Sequence, residues 1–218
     1  MLVMVVDSST PAVTAALVRV TDDEVTVLAE RVTVDGRAHG ELLAPQIQAV
    51  LAEGGAAPAD LTAVISGTGP GPFTGLRAGM VTAAAFGHAL DIPVYGVCSL
   101  DGIGHGQPGR LLVATDARRK EVYWAVYDGG VRVEGPAVDK PAVVAQQTAA
   151  GAAAGDGADK YAEVLGLPVL PPRYPSARAL AALAADRIRA KAPGETLTPL
   201  YLRRPDAVAP GERKPALP

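Results

Sequence analysis

The sequence predicts an α/β protein of two similar lobes, and three observations carry that expectation. An apolar run that stops at an acid opens each half: residues 2–6 end at Asp7 and residues 111–115 end at Asp116, 109 residues later. After each acid a polar turn leads into alternating apolar and polar residues, the two-residue period of strands. In the first half that period gives way after Arg37 to helical spacing, then strand and helix alternate. A repeat of about 110 residues is too long for a solenoid and suits two related lobes.

Residues 2–6 form the first strand, and Ser8-Ser9-Thr10-Pro11 is a turn. Strands follow at 13–20 and 24–34, joined at Asp22-Asp23. Leu43, Ile47, Val50 and Leu51 then recur at helical spacing until Gly54-Gly55 ends the run. Pro45 either opens that helix or kinks one begun near Glu41. A strand at 61–66, a glycine-rich turn, a helix at about 75–90 and a strand at 94–98 complete the half. The second half places strands at 111–115, 121–127 and from Val131, and closes on an Ala-rich helix at 176–190 with Ser176 as its N-cap. The expected lobes are 1–105 and 106–204, with a loosely ordered, Pro- and charge-rich tail at 205–218. A duplicated strand-strand-strand-helix-strand-helix unit with an acid ending each first strand describes the two-lobed actin-like ATPase architecture, the ASKHA class with RNase H-like lobes. Fold alone does not assign function.

Composition narrows the classes. The chain has 218 residues, 49% apolar, but 41 are alanine and only 4% are aromatic. A Val/Leu/Ala core with closely approaching elements is expected, and a chain this long buries it without staples. One cysteine, Cys98, excludes a disulfide framework and a cysteine zinc cluster. No apolar stretch reaches the 18 or so residues of a membrane span. Asp7 breaks the first apolar run and no basic segment precedes it, so no secretory leader is expected and the location should be cytoplasmic. Net charge is −3, and the basic clusters are small, Arg118-Arg119-Lys120 and Arg203-Arg204. A partner would therefore supply most phosphate contacts to any nucleic acid.

The most specific stretch is Gly67-Thr68-Gly69-Pro70-Gly71-Pro72-Phe73-Thr74-Gly75-Leu76-Arg77. Between a buried strand and a helix it suits an anion at the helix start. It lacks the Gly-Lys-Ser/Thr ending of a Walker loop and dinucleotide spacing. The other reading is a tight turn with Thr74 capping the helix. Gly75, Gly79, Ala83 and Gly87 then follow at four-residue intervals, a strip of nearly bare backbone. Interior glycine costs about 1 kcal/mol against alanine, so three in one helix mark a packing requirement, within the chain or with a partner. On the partner reading, Gly79→Arg blocks association and spares the fold.

His39 lacks a second histidine four residues on, where Leu43 stands, so no metal site is expected. His88 and His105 have no ligand pattern around them, and Cys98 reads as a small buried hydrophobe. Asp7 and Thr10, with Arg118 and Lys120 from the second lobe, are candidates for an inter-lobe nucleotide cleft. The competing reading of an acid at a strand end is a turn acid bonding its own backbone.

Taken together, these residues resemble the TsaB (YeaZ) family of tRNA threonylcarbamoyladenosine biosynthesis, a glycoprotease-like family related to the transferase TsaD. The carriers are Asp7-Ser8-Ser9-Thr10, the Arg37/His39 helix start and residues 67–77. Further matches are Gly96-Val97-Cys98-Ser99-Leu100, residues 116–124 and Pro199-Leu200-Tyr201-Leu202-Arg203. His39-Gly40 replaces the usual His-Ser, and Pro72 replaces a serine. The resemblance implies a non-catalytic subunit that binds TsaD, and through it TsaE, pairs with itself when alone, and meets tRNA only through the complex. It implies no cofactor for this chain by itself, with ATP and magnesium entering in the assembly. The N-lobe helices are then the interface, with Leu43, Ile47, Leu76, Gly79, Met80, Ala83 and Gly87 as its expected contacts. Two rival functions are an ATP-dependent small-molecule kinase of the same fold and a glycoprotease-type metallopeptidase, which the missing second histidine opposes.

Overall fold

The computed structural model describes residues 1–203, so expectations for 205–218 lie outside the described residues. Valine-rich, alternating segments form β1 (Leu2–Asp7), β2 (Ala12–Val20) and β3 (Val25–Val34), and α1 (His39–Glu53) follows. Next come β4 (Ala63–Gly67), α2 (Phe73–Leu90), β5 (Val94–Val97) and the short α3 (Asp101–Gly104). The second half holds β6 (Arg110–Asp116), β7 (Val122–Asp128), β8 (Val131–Asp139), α4 (Pro141–Gln147) and β9 (Ala152–Ala154). It ends with α5 (Asp156–Lys160), α6 (Ala162–Leu165), β10 (Val169–Leu170) and α7 (Ala177–Arg189).

The strands make two five-stranded sheets of the same order, β3-β2-β1-β4-β5 and β8-β7-β6-β9-β10. In each, the first three strands are antiparallel and the last two join parallel to the first. The duplication read from the two acids is thus present as topology, and Asp7 and Asp116 end the matching strands.

Side-chain alternation buries both faces of the first sheet. Met4, Val6 and Leu17 meet Leu43, Ile47, Val50 and Ala83, so α1 and α2 lie side by side on that face. Val3, Val5, Ala16 and Val18 meet Ala177, Leu180, Ala181 and Ala184 of α7 on the other. The last helix, expected to close the second lobe, therefore lies on the first sheet. Its row of alanines lets the helix approach the valine surface closely. In return, Leu100 and Ile103 around α3 cover Leu111, Val113 and Tyr127 of the second sheet. The far face of that sheet packs Leu112, Trp124 and Val126 on Val144, Ala158 and Leu165.

One helix start differs from expectation, and another follows the second of its two expected forms. Helix α2 begins at Phe73 with Pro72 as N-cap and no capping side chain, so Thr74 is inside the helix and does not cap it. Helix α1 begins at His39 and takes Pro45 into its interior. Ser176 does cap α7, accepting from the Ala179 N–H at 3.4 Å. Among the described residues no helix is long and apolar enough to cross a membrane.

Candidate functional site

The segment after β1 is built into the protein interior. Asp7, Ser8, Ser9 and Thr10 are all buried. Asp7 Oδ1 accepts from Ser9 N–H at 3.0 Å and Ser9 Oγ at 2.9 Å, and Oδ2 accepts from Ser99 Oγ at 2.6 Å. Ser8 Oγ donates to the Gly75 carbonyl at 2.7 Å and accepts from Gly79 N–H at 2.9 Å, so it is plugged into the first turns of α2. His39 Nε2 bonds the Thr10 carbonyl at 3.0 Å and ties the start of α1 to the same segment. The glycine-rich turn closes over it: a Cβ on Gly71 would stand 2.1 Å from the Ser9 carbonyl, and one on Gly67 would stand 1.7 Å from Asp7 Oδ2. Gly69, at φ +85, donates to Ser99 Oγ at 3.1 Å.

Two of the candidate nucleotide-cleft residues, Asp7 and Thr10, are thus buried and bonded within the chain. Both Asp7 oxygens are engaged by the chain's own hydroxyls and N–H, and Thr10 is covered. These residues do not fit a nucleotide or magnesium ion, and the glycine-rich turn is here a packing device. Arg118 and Lys120 stand apart as exposed residues of the turn between β6 and β7.

Burial raises the Asp7 carboxyl above the ordinary carboxylate range, against the lowering effect of the Ser99 and Ser9 hydrogen bonds. Above the raised native pKa both the folded and the unfolded chain carry the ionised group, and the folded one bears the desolvation penalty. As pH falls through the raised native pKa, the folded chain takes the proton first and the penalty is relieved. Asp7→Asn removes this titration. Urea unfolding from pH 7 down to about 4 should show the wild type gaining stability relative to the variant. A difference that stays constant with pH would contradict it.

The expected interface residues are also corrected. Leu43, Ile47, Leu76, Gly79, Met80, Ala83 and Gly87 are all buried within the chain. The strip of small residues faces inward, where a Cβ on Gly79 would meet Ser8 Oγ at 2.5 Å and one on Gly87 would meet Val94 Cγ2 at 2.1 Å. Gly79→Arg would therefore break the fold rather than spare it. The outward faces of the same two helices are a different set. Helix α2 exposes Phe73, Arg77, Val81, Ala84 and Ala85, and α1 exposes Glu41, Ala44, Pro45 and Gln48. Val81 is 65% exposed and Phe73 57%. At the start of α2 the Phe73 ring stacks on Tyr201 with centroids 5.5 Å apart, and the Arg77 guanidinium sits 4.4 Å from the Phe73 centroid. The outward face of α2 thus carries Phe73 and Val81 on either side of Arg77, with the exposed alanines Ala84 and Ala85. The sequence reading missed Phe73, Arg77 and Val81, although their spacing of four residues was a signal for one helix face.

In the second lobe, Arg118, Arg119 and Lys120 adopt φ of +59, +52 and +61. Left-handed backbone costs about 1–2 kcal/mol per residue outside glycine, so three basic residues in a row form a strained turn. Arg118 N–H bonds Asp116 Oδ1 at 3.2 Å, and Lys160 pairs with Asp116 Oδ2 at 2.9 Å. Lys120, Lys140 and Lys160 with Arg119 border a groove of ≈ 630 Å³ floored by Pro141, Tyr161 and Val164.

His88 and His105 are exposed, and among the described residues no group of three or more His, Cys, Asp or Glu could hold a metal ion. Burial, then the nearby Asp101 carboxylate, push the Cys98 thiol up to about 11. Thiolate is the reacting form, so Cys98 should label with iodoacetamide at pH 7.5 at least about tenfold more slowly in the folded chain than in urea. Equal rates would show an accessible, ordinary thiol.

Comparison with known proteins fits this geometry. The family model described as TsaD: tRNA N6-adenosine threonylcarbamoyltransferase matches residues 26–198. An uncharacterised protein of Mycobacterium tuberculosis is 55% identical over 205 residues, 94% of this chain and 93% of that one. The tRNA threonylcarbamoyladenosine biosynthesis protein TsaB of Bacillus subtilis is 33% identical over 130 residues, 58% of this chain and 55% of that one. Among solved structures, YeaZ from Pseudomonas aeruginosa superposes with a TM-score of 0.75 at 28% identity, covering 92% of this chain and 99% of that chain. With the same two-sheet architecture and these matches, the chain belongs to the TsaB/YeaZ family of TsaD-type proteins.

Proposed function

We propose that this chain is a non-catalytic accessory subunit in the formation of threonylcarbamoyladenosine in tRNA. It docks a TsaD-type transferase, and through it TsaE, in the cytoplasm. The reading is supported by the outward sides of α1 and α2, where Phe73, Val81, Ala84 and Ala85 of α2 and Ala44 and Pro45 of α1 are exposed. An apolar surface of this kind on a monomer marks a partner site, and the same face pairs two copies when the partner is absent. Its centre is alanine and valine, which let a partner helix approach closely. At the start of α2 it carries the Arg77–Phe73–Tyr201 stack, and Arg and Tyr are residue types enriched among binding hot spots. The closed Asp7 segment supports the same reading, because the polar groups of Asp7, Ser8 and Ser9 are bonded within the chain. ATP and magnesium then belong to the assembled complex, and the chain by itself needs neither.

The test is size-exclusion chromatography with light scattering on the chain alone and with its cognate transferase. The chain alone is expected to run as a dimer that gives way to a mixed complex as partner is added. Separate elution of the two proteins at micromolar concentrations would contradict the reading.

A further inference from the structure

We propose that the groove between the β6–β7 turn and α4–α6 of the second lobe binds the phosphate backbone of RNA, adding direct contacts to those made by the partner. The inference rests on the accessory-subunit reading above for the identity of the RNA as tRNA.

The chain is acidic overall, with net charge −3, yet this groove gathers Arg119, Lys120, Lys140 and Lys160, and among the described residues no carboxylate lines it. The cations come from three separate places in the chain: the left-handed turn, the residue before α4 and the end of α5. Lys160 answers Asp116 at 2.9 Å and also lies 5.3 Å from the Tyr161 ring centroid. The polar groups bordering the groove are long flexible cations rather than a fixed cradle of backbone N–H groups. Such an arrangement suits an extended polyanion held without sequence preference, as phosphate backbones are, more than a small phosphorylated ligand that needs directed donors. Tyr161 and Val164 give the floor an apolar surface against which a sugar or base can rest. The strained turn at 118–120 projects two of the cations toward one side of the groove, and such strain persists where surrounding structure holds it for a purpose.

The test is fluorescence anisotropy with labelled bulk tRNA from about 50 mM to 200 mM salt. It uses the full chain, a Lys120→Ala/Lys140→Ala variant and a Lys120→Arg/Lys140→Arg control. Both positions are exposed, so folding should be unchanged, as circular dichroism would check. The alanine variant should bind at least about tenfold more weakly at the lowest salt, with the slope of log affinity against log salt reduced by about 1.4. The arginine control should keep both. Equal affinity and slope for wild type and alanine variant, or no tRNA binding by wild type at low salt, would overturn the proposal. So would loss of co-elution with the transferase while tRNA binding stays intact, which assigns the groove to an acidic protein surface. If wild type itself fails to co-elute, the accessory-subunit reading falls while the tRNA comparison still decides the groove.

Discussion

Gly67→Ala is expected to destabilise the chain by about 3 kcal/mol or more, enough to remove most of the soluble folded protein. The added methyl would stand 1.7 Å from Asp7 Oδ2, 2.6 Å from Ser99 Oγ and 2.7 Å from Asp7 Cγ. None of these can give way cheaply. Asp7 is held by Ser9 and Ser99, and Ser99 Oγ in turn accepts from Gly69 in the glycine-rich turn. Moving the carboxylate would leave buried donors unpaired, each at about 1–3 kcal/mol. Gly40 is the control, because a Cβ there meets nothing within 4 Å and the residue lies in the first turn of α1. Gly40→Ala should leave stability unchanged or raise it by up to about 1 kcal/mol. Urea denaturation of both variants checks the pair, and equal midpoints would refute the packing role assigned to the turn.

Val81→Arg should weaken binding to the transferase by about 100-fold, roughly 3 kcal/mol, and shift the chain alone from dimer to monomer. At 65% exposure the side chain contributes little to the fold, so stability should move by no more than about 0.5 kcal/mol. The arginine would place a charge at the centre of an apolar contact and leave it unpaired there. Isothermal titration with the transferase, beside a thermal melt, separates lost binding from lost folding. Unchanged affinity would move the docking surface away from α2.

Much of the architecture was legible because the two periods are clean. Valine-rich apolar segments mark β1 and β2, and the matching apolar run ending at Asp116 announced the second copy. Placement was harder. The alanine face of α7 signals close packing but not which sheet it meets, and Ala152–Ala154 carries no strand signature although it is β9. The candidate site suffered from the same ambiguity. Gly75, Gly79, Ala83 and Gly87 at spacing four announced a bare helix face, which was correct. What that face touches is set by Ser8 and Val94, residues distant in sequence, and a pattern cannot name its own partner. Asp7 at a strand end was visible too. Its engagement by Ser99 depends on a contact 92 residues away, which turned an expected ligand into a structural acid. The exposed residues Phe73, Arg77 and Val81, the proposed docking face, carry no sequence signal of that role, because exposure of large apolar groups on a helix is evident only once its buried side is known.

The most direct test of the central claim is reconstitution of the modification. Cognate transferase and TsaE would be combined with tRNA, ATP and threonylcarbamoyl-adenylate, with and without this chain, and the modified nucleoside counted by mass spectrometry. The account predicts product that requires this chain, none from the chain alone, and loss with Val81→Arg. Product formed equally well in its absence, or by the chain alone, would contradict it.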